Sequence, residues 1–494
     1  MTNAPPAAAA PGMFRRGLIG YLPVHIVQGV VGILALVSFT RLLSPADYGA
    51  YALAFSAMSL VQTLVFTWLE AAMGRFQAPE AKAGREPAHL ATVYRLWALL
   101  AAPYVLLATI AVLAWPAGGN VKAALAAGLA SIPARGLCKL AQERRRAIGD
   151  VRGAAALDIT QTAVGFALGL GLILIGWRAA GAIAAAGLVA AACLVFILPT
   201  ELRGMKDGRF EAARARDYAR YGLPVAASLI LVLALATADR FLIAAYLGEG
   251  AVGVYHAGYT LANRTLDVLF IWLGMAGWPA LIAAFAHGGR PALDSAARAQ
   301  GAAFVSLTVP AAVGLALVAR PLAEVMVGPA LRAGAAEVTP WIAASALLAG
   351  FTVYYLNVAF TLGKRTALLP VAMAIPAVAN IGLNIVLIPR FGLHGALWAA
   401  TAAYALGAVA SLVLGRLALP LPLPWRDLAR AGAASLIMAL VVSRLPALGG
   451  GAELLLKAGV GAGAYGALAL ALDVGGVRRR LPNLMTFATA RVAP

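Results

Sequence analysis

The sequence has few charged residues. Asp, Glu, Lys and Arg make up only 12% of its 494 residues, whereas 62% are hydrophobic. A typical soluble domain has about 25% charged residues, so this composition excludes an ordinary soluble protein and indicates a polytopic membrane protein. The apolar segments are too long and continuous for transmembrane β-strands, which alternate over about ten residues. Helices are the other structure that satisfies the backbone in lipid, so the predicted fold class is all-α.

Cysteine and histidine are also scarce, with two and five residues. Cys138 and Cys193 lie in or at the end of apolar segments and have no ligand-like neighbours, so we predict that both are small buried residues. No His/Cys/Asp cluster, phosphate-binding glycine loop or Ser/His/Asp arrangement stands out. The sequence therefore predicts no catalytic residues, no metal site and no bound cofactor.

The chain consists mainly of fourteen apolar segments. Most of them reach the ~20 residues that a helix needs to cross a bilayer. No gap between them could hold a soluble domain. The predicted spans are roughly 17–40, 47–71, 90–114, 121–138, 154–176, 180–199, 222–247, 251–285, 300–319, 341–362, 366–388, 393–415, 430–446 and 453–472.

Lysine and arginine are concentrated in every second gap between these segments. Of the 39 Lys and Arg residues, 28 lie in one set of gaps, 8 in the alternate set and 3 inside predicted helices. The positive-inside rule assigns the richer side to the cytoplasm, so both termini are predicted to be cytoplasmic. The net charge of +19 is then mainly a topology signal. We expect contact with anionic lipid headgroups and no nucleic-acid partner.

Two breaks divide the predicted helices into three groups. The charged loop at about 200–221 follows helix 6, and the proline-rich segment Pro420–Trp425 precedes the last two helices. We therefore predict a disordered cytoplasmic tail over 1–13, a six-helix bundle over 14–211, a second six-helix bundle over 212–417, and helices 13 and 14 with a cytoplasmic tail over 418–494.

The two predicted bundles resemble each other in sequence. The segment 43–51 (LSPADYGAY) shares Leu, Gly and Tyr with 247–255 (LGEGAVGVY), and 181–183 (GAI) matches 395–397 (GAL). Both matches fall six helices apart, as a duplication requires. Because each half has an even number of helices, the pseudo-two-fold axis should lie along the membrane normal, with a substrate cavity between the bundles near the midplane.

Three motifs resemble signatures of a known family. They are RLLSPADYGAY at 41–51, DRFLI at 239–243 followed by VGVY at 252–255, and NIVLIP at 384–389 followed by HGA at 394–396. These segments, and the count of fourteen helices, resemble the Wzx-type polysaccharide transporters. Those flippases of lipid-linked oligosaccharides belong to the MOP superfamily, with the MATE drug exporters and the lipid II flippases.

The resemblance implies a MATE-like fold in the bacterial inner membrane. It implies a flippase that moves undecaprenyl-pyrophosphate-linked oligosaccharide from the cytoplasmic to the periplasmic leaflet by alternating access, for exopolysaccharide or O-antigen assembly. The expected partners are that glycolipid, anionic membrane lipids and a glycan polymerase of the same pathway. The motifs do not identify the glycan.

Charged residues inside the predicted helices mark the candidate site, because each costs about 2.5–3.5 kcal/mol at the centre of a membrane helix. We predict that Arg264, Arg135 and Arg240 line the cavity and attract pyrophosphate or acidic sugars. Structural pairing or snorkelling is the alternative. Helix rise allows an ion pair between Asp239 and Arg264. The other candidate cavity residues are Asp239, Asp267, Gln28, Asn357 and Tyr355.

Energy coupling and function each leave alternatives open. H⁺ or Na⁺ is the expected coupling ion, and Asp158, Asp239 and Asp267 are equivalent candidates to carry it. A MATE-like cation or drug antiporter is the first alternative function. A membrane-embedded glycan polymerase or ligase needs a large periplasmic loop or a placed acidic pair, and neither is evident. A non-transporting scaffold of a glycan assembly complex is the last alternative.

Overall fold

The computed structural model describes residues 11–114 and 118–478, and every regular element in these ranges is helical. The helices assemble into two compact units, Met1–Leu233 and Ala234–Pro494. The division falls inside the helix Ala212–Leu247. The boundary at residue 211 between the two six-helix bundles stays a prediction. The first helix begins at Pro11 and so includes the last three residues of the predicted tail over 1–13. Residues 1–10 of that tail, and residues 479–494, lie outside the described residues.

The described residues of the first unit form seven α-helices and the start of an eighth. Within it, α5 packs against α7, α2 and α3, and α6 packs against α7 and α1. A π-helical turn, Ile173–Trp177, joins α6 to α7. The bounds are α1 Pro11–Leu42, α2 Pro45–Val65, α3 Thr67–Lys82, α4 Glu86–Ala114, α5 Gly119–Ala147, α6 Val151–Leu172, α7 Arg178–Gly204 and α8 Ala212–Leu247.

The second unit contains the end of α8 and seven further helices. Its α9 packs against α11 and α14, α11 packs against α13, and α14 packs against α15. A second π-helical turn, Thr352–Leu356, follows α11. The bounds are α9 Glu249–Leu317, α10 Ala319–Met326, α11 Arg332–Phe351, α12 Val358–Leu362, α13 Leu368–Ala418, α14 Trp425–Ser443 and α15 Gly450–Ala471.

Ten helical stretches in the described residues are long and apolar enough to cross a membrane. Three of them are interrupted by a glycine with non-helical torsion angles: Gly176 (φ 98°), Gly289 (φ 59°) and Gly392 (φ 57°). Gly289 and Gly392 lie between two predicted spans, and Gly176 is the last residue of one. Positive φ is a conformation that glycine adopts without a steric penalty. The pattern is compatible with fourteen spans, a number that stays a prediction.

The surface and interior of the helices differ in residue size. Large apolar side chains face outward, and Phe196, for example, is 83% exposed. Half of the buried positions of α7 and most of those of α13 are alanine or glycine. In a membrane, small residues let helices approach closely, while lipid solvates the bulky outer side chains. This distribution supports a multi-pass membrane protein.

The sequence match between the segments that begin at Gly181 and Gly395 has a steric basis. A Cβ atom on Gly395 would lie 2.3 Å from the carbonyl oxygen of Leu387, and one on Gly181 would lie 2.8 Å from the Cβ of Leu172. Each glycine follows a chain reversal and packs against the preceding helix. The two units therefore use glycine at equivalent positions because the chain packs tightly against itself there.

The first-loop motif forms an N-terminal helix cap. The hydroxyl of Ser44 accepts a 3.1 Å hydrogen bond from the backbone N–H of Asp47 and donates to its carboxylate at 2.8 Å. The other carboxylate oxygen of Asp47 accepts from the Asn120 side chain at 2.9 Å. Such a cap stabilises a helix by about 1 kcal/mol. The motif therefore fixes the start of α2 and ties it to the start of α5.

Ion pairs join five helices at the predicted cytoplasmic end of the first unit. Arg144 of α5 lies 2.8 Å from both Glu86 of α4 and Glu201 of α7. Arg214 of α8 lies 2.5 Å from Glu80 of α3. We call Glu80, Glu86, Arg144, Glu201 and Arg214 the charged network. Arg144 joins α4, α5 and α7, and Arg214 separately joins α3 and α8, through carboxylate–guanidinium contacts, which are strong and directional.

The Glu80 carboxylate should make stability depend on pH. Partial burial opposes its ionisation, but hydrogen bonds from Arg214 and Arg85 outweigh that effect and lower its pKa below the ordinary 4.5. The stabilisation is therefore fully present above pH 4.5 and is lost as pH falls through the lowered value. We expect Glu80→Gln to destabilise the protein by up to about 1 kcal/mol at pH 7 and to flatten the acid limb of the stability profile.

Thermal unfolding of detergent-solubilised protein between pH 7 and pH 3.5 measures this effect. Glu249→Gln is the matched control, since no ion pair joins Glu249 to another residue that the structure describes. Identical pH profiles for Glu80→Gln and wild type would contradict the prediction.

Candidate functional site

A polar cavity of about 260 Å³ lies within the second unit. It is formed by α8, α9, α11, α13 and the π-helical turn Thr352–Leu356. A cavity with convergent polar groups inside an apolar helix bundle is the usual position of a ligand site in a membrane transporter. Its polar lining residues are Asp239, Tyr255, Tyr259, Asn263, Asp267, Ser345, Tyr354 and Tyr404.

One helix face supplies half of these polar residues. Tyr255, Tyr259, Asn263 and Asp267 follow each other at intervals of four along α9. Residues four apart lie on the same side of an α-helix, so the four side chains form one stripe toward the cavity. We call this set the α9 stripe. Sequence analysis named Asp267 as a candidate and missed the other three residues of the stripe, although their four-residue spacing was visible.

Asp239 and Arg240 lie next to the stripe and are both deeply buried, with exposed fractions of 2% and 4%. The Asp239 carboxylate accepts a hydrogen bond from the Tyr255 hydroxyl and a 2.8 Å bond from the Arg240 backbone N–H. The Arg240 guanidinium donates to the carbonyl oxygen of Ala236 at 2.9 Å and lies 4.5 Å from the ring centroid of Tyr259. Asp239 therefore lines the cavity, while Arg240 supports its wall.

The expected ion pair between Asp239 and Arg264 does not form. Arg264 is exposed and is absent from the cavity lining, whereas Asp267, one turn further along α9, is part of it. Asp239 is instead satisfied by Tyr255, which lies between the two residues in sequence. Helix rise gives the depth of each residue in the bundle, but it does not determine the direction in which the Arg264 side chain points.

Arg135 lies in the first unit, half-buried on α5. Its Nη1 atom is 2.7 Å from the sulfur of Met58, and Glu70 is the carboxylate that acts on it electrostatically. Glu70 is buried at the start of α3, with weak contacts of 3.5 and 3.4 Å to Gln62 and Thr67. Sequence analysis missed Glu70 because it falls at the end of a predicted span, where a charged residue is ordinary.

The remaining predicted residues lie outside the polar cavity. Gln28 is exposed on α1. Asn357 is half-buried after the π-helical turn, and its Oδ1 atom has no hydrogen-bond partner among the described residues. Tyr355 is fully buried, and its hydroxyl donates to the backbone carbonyl oxygens of Ala297 and Pro422. Tyr355 thus fastens the proline-rich segment to α9 in this structure, while its neighbour Tyr354 faces the cavity.

Comparison with solved structures identifies the fold. The chain is similar to the lipid II flippase MurJ in an inward closed conformation, with a TM-score of 0.74 and 13% identity over 91% of this chain and 98% of that one. It is also similar to an inward-facing multidrug resistance MATE family transporter of the MOP superfamily, with a TM-score of 0.66 and 15% identity over 79% and 94%. The predicted all-α, MATE-like fold is confirmed.

A third solved structure differs in the polarity of its binding pocket. It is a MOP superfamily transporter from Pyrococcus furiosus, described as having a binding pocket of reverse polarity that suggests a different function. Its TM-score is 0.52 and its identity 15%, over 82% of this chain and 93% of that one. No curated protein matches the sequence.

The comparison with family models shows to which protein family the chain belongs. The model described as "Polysaccharide biosynthesis protein" matches residues 38–332, which is more than half of the 494 residues. The matched range includes the first-loop motif, Arg135, Asp239 and the α9 stripe. The chain therefore belongs to the polysaccharide biosynthesis protein family, and it has the fold of the MOP-superfamily transporters.

Proposed function

We propose that this protein is a Wzx-type flippase, which moves undecaprenyl-pyrophosphate-linked oligosaccharide from the cytoplasmic to the periplasmic leaflet of the bacterial inner membrane. Family membership and fold support a transporter of a lipid-linked glycan. The observation that carries the proposal is that two intramembrane arginines lack an ion-pair partner among the described residues. Neither Arg135 nor Arg264 forms an ion pair with a carboxylate among residues 23–114 and 118–478.

An unpaired guanidinium within a membrane span is costly and indicates a functional group. Arginine also presents a planar fork of donors that fits phosphate oxygens in a bidentate manner. Among the residues that the structure describes, Arg135 donates one hydrogen bond, to the thioether sulfur of Met58, and so keeps most of its donors available. Arg135 in the first unit and Arg264 in the second are each assigned separately as a group that can bind a phosphate of the glycolipid. We do not assign Arg240 this role, because its Nη1 atom donates to Ala236 and its guanidinium lies against the Tyr259 ring, although its Nε atom has no hydrogen-bond partner among the described residues.

Transport is proposed to follow alternating access and to use a gradient of H⁺ or Na⁺. Of the three candidate carboxylates for coupling, Asp158 is held by Arg146 at 2.6 Å and Asp239 by the Tyr255 hydroxyl. Asp267 forms no ion pair with a described residue and lies on the cavity wall. Imposing each ion gradient separately across a proteoliposome membrane distinguishes the two ions.

Leaflet-resolved transport in proteoliposomes tests the proposal. The probe is a fluorescent polyprenyl-pyrophosphate trisaccharide, quenched from outside as it reaches the outer leaflet. We expect wild-type protein to accelerate its appearance, and Arg135→Gln and Arg264→Gln each to slow it by about tenfold or more, since a charge-assisted hydrogen bond contributes roughly 1.5–3 kcal/mol. Arg75→Gln is the matched control, because Arg75 is exposed and makes no ion pair with a described residue.

The outcomes separate the alternatives. If both substitutions slow translocation and neither variant changes the unfolding temperature, the result supports the flippase function and the role of the two arginines. Translocation that neither slows keeps the flippase and overturns the two arginines as its site. Absence of translocation, together with export of a cationic dye by the same vesicles, would overturn the flippase in favour of a MATE-like antiporter.

A further inference from the structure

We infer that the polar cavity of the second unit is a sugar-binding subsite that admits neutral or amino sugars and disfavours acidic ones. This inference rests on the proposed function, because it concerns the glycan of the same lipid-linked substrate. For this cavity it differs from the sequence-based expectation that Arg264, Arg135 and Arg240 line the cavity and attract pyrophosphate or acidic sugars.

The lining of the cavity matches the surface of a sugar ring. Carboxylate oxygens of Asp239 and Asp267 accept hydrogen bonds, while the Asn263 amide and the hydroxyls of Tyr354 and Tyr404 can donate or accept. Sugar hydroxyls need both kinds of partner. The aromatic rings of the lining add apolar faces, on which the C–H face of a sugar can pack.

The charge that the cavity presents to a ligand is negative. Its ionisable lining consists of two aspartates and four tyrosines, with no lysine, arginine or histidine among the lining residues that the structure describes. Two arginines outside the lining act electrostatically on these carboxylates, Arg240 on Asp239 and Arg264 on Asp267, but neither side chain is part of the cavity wall. Arg240 is directed to Ala236 and Tyr259, and Arg264 lies outside the lining. A carboxylate on the ligand would therefore meet Asp267, which lies on the cavity wall, and like charges placed against each other in a binding site repel.

The size of the cavity suits part of a glycan. Pockets for drug-sized ligands occupy about 300–1,000 Å³, and this one occupies about 260 Å³. It therefore accepts a small number of sugar units and cannot enclose a whole lipid-linked oligosaccharide. The sugar that enters it would determine which glycan is transported.

A pair of matched substrates tests the inference. The probes are two fluorescent polyprenyl-pyrophosphate trisaccharides that differ only in a terminal glucose or glucuronic acid. We expect wild-type protein to translocate the neutral probe at least about tenfold faster, which corresponds to about 1.4 kcal/mol. Asp267→Asn keeps the shape of the side chain and removes its charge, so it should reduce this ratio to about threefold or less.

Two further variants complete the test. Tyr354→Phe removes one hydroxyl without changing the charge, so it should slow both probes equally and leave their ratio unchanged. Asp217→Asn, at an exposed position of α8 outside the cavity, is the matched control for loss of a carboxylate. Each variant is first checked for an unchanged unfolding temperature and a monodisperse elution profile.

The results distinguish this inference from the proposed function. A high ratio in wild type that falls in Asp267→Asn alone supports the sugar subsite. Equal rates for the two probes, or a ratio that Asp267→Asn does not change, overturn the subsite while the flippase activity stands. Absence of translocation of both probes overturns the flippase and, with it, the subsite.

Discussion

Replacing Gly395 by alanine should destabilise the second unit strongly. The added Cβ atom would lie 2.3 Å from the carbonyl oxygen of Leu387, 2.5 Å from its carbonyl carbon and 2.9 Å from the backbone nitrogen of Ile388. All three are backbone atoms of the same helical hairpin, so no side chain can rotate to make room. Overpacking in a close-packed interior costs about 1–3 kcal/mol where relaxation is possible, and we expect at least that here.

The measurement is the thermal unfolding temperature and the yield of monodisperse protein. Gly382→Ala, on the same helix α13, is the matched control, because a Cβ at Gly382 meets nothing within 4 Å. Gly181→Ala should have a smaller effect, since its nearest neighbours are the side-chain Cβ atoms of Leu172 and Trp177 at 2.8 and 2.9 Å. If the Gly395→Ala protein is as stable as the Gly382→Ala protein, Gly395 does not pack closely against the backbone of Leu387, and the prediction is wrong.

Replacing Arg144 by glutamine should destabilise the first unit by about 3–5 kcal/mol, the usual cost of removing one partner of a buried ion pair. Glu201 would lose its 2.8 Å contact to the guanidinium, and its side chain is only 4% exposed. The Tyr94 hydroxyl, which donates to Glu201 at 2.7 Å, would be its remaining partner. The Glu201 carboxylate would then be buried with this hydrogen bond but without its ion-pair partner.

A double-substitution cycle isolates that charge. Glu201→Gln in the Arg144→Gln background removes the uncompensated carboxylate and should restore part of the lost stability. Arg152→Gln, which removes an exposed arginine on α6, should leave the unfolding temperature within about 1 °C of wild type, since isolated surface charges contribute little. No recovery in the double variant would mean that Arg144 acts through packing and not through its charge.

The sequence predicted the helices better than the site because the two depend on different information. Apolar length and glycine position are local properties, and Gly176, Gly289 and Gly392 lie where the predicted spans meet. The direction of a side chain depends on how its helix is rotated against its neighbours. That rotation places Asp267 on the cavity and Arg264 outside it, although both lie on one turn of α9.

The sequence pattern was equally unable to predict which side chains on different helices form hydrogen bonds with each other. Asp239 and Arg264 were at suitable depths for an ion pair, yet the Tyr255 hydroxyl reaches Asp239 and completes its hydrogen bonding. The tyrosines of the α9 stripe resembled ordinary packing residues until their common spacing with Asn263 and Asp267 was considered. Their function in the site depends on a cavity that only the packed helices form.

The contrast between bulky outer residues and small inner ones bears on how this fold diverges in evolution. A position that faces lipid requires any large apolar side chain, and many interior positions require only that the residue be small. Selection then acts on size class more than on identity, and substitutions within a class accumulate freely. This explains how a chain can share 13% of its residues with a lipid II flippase and still match 98% of that chain at a TM-score of 0.74.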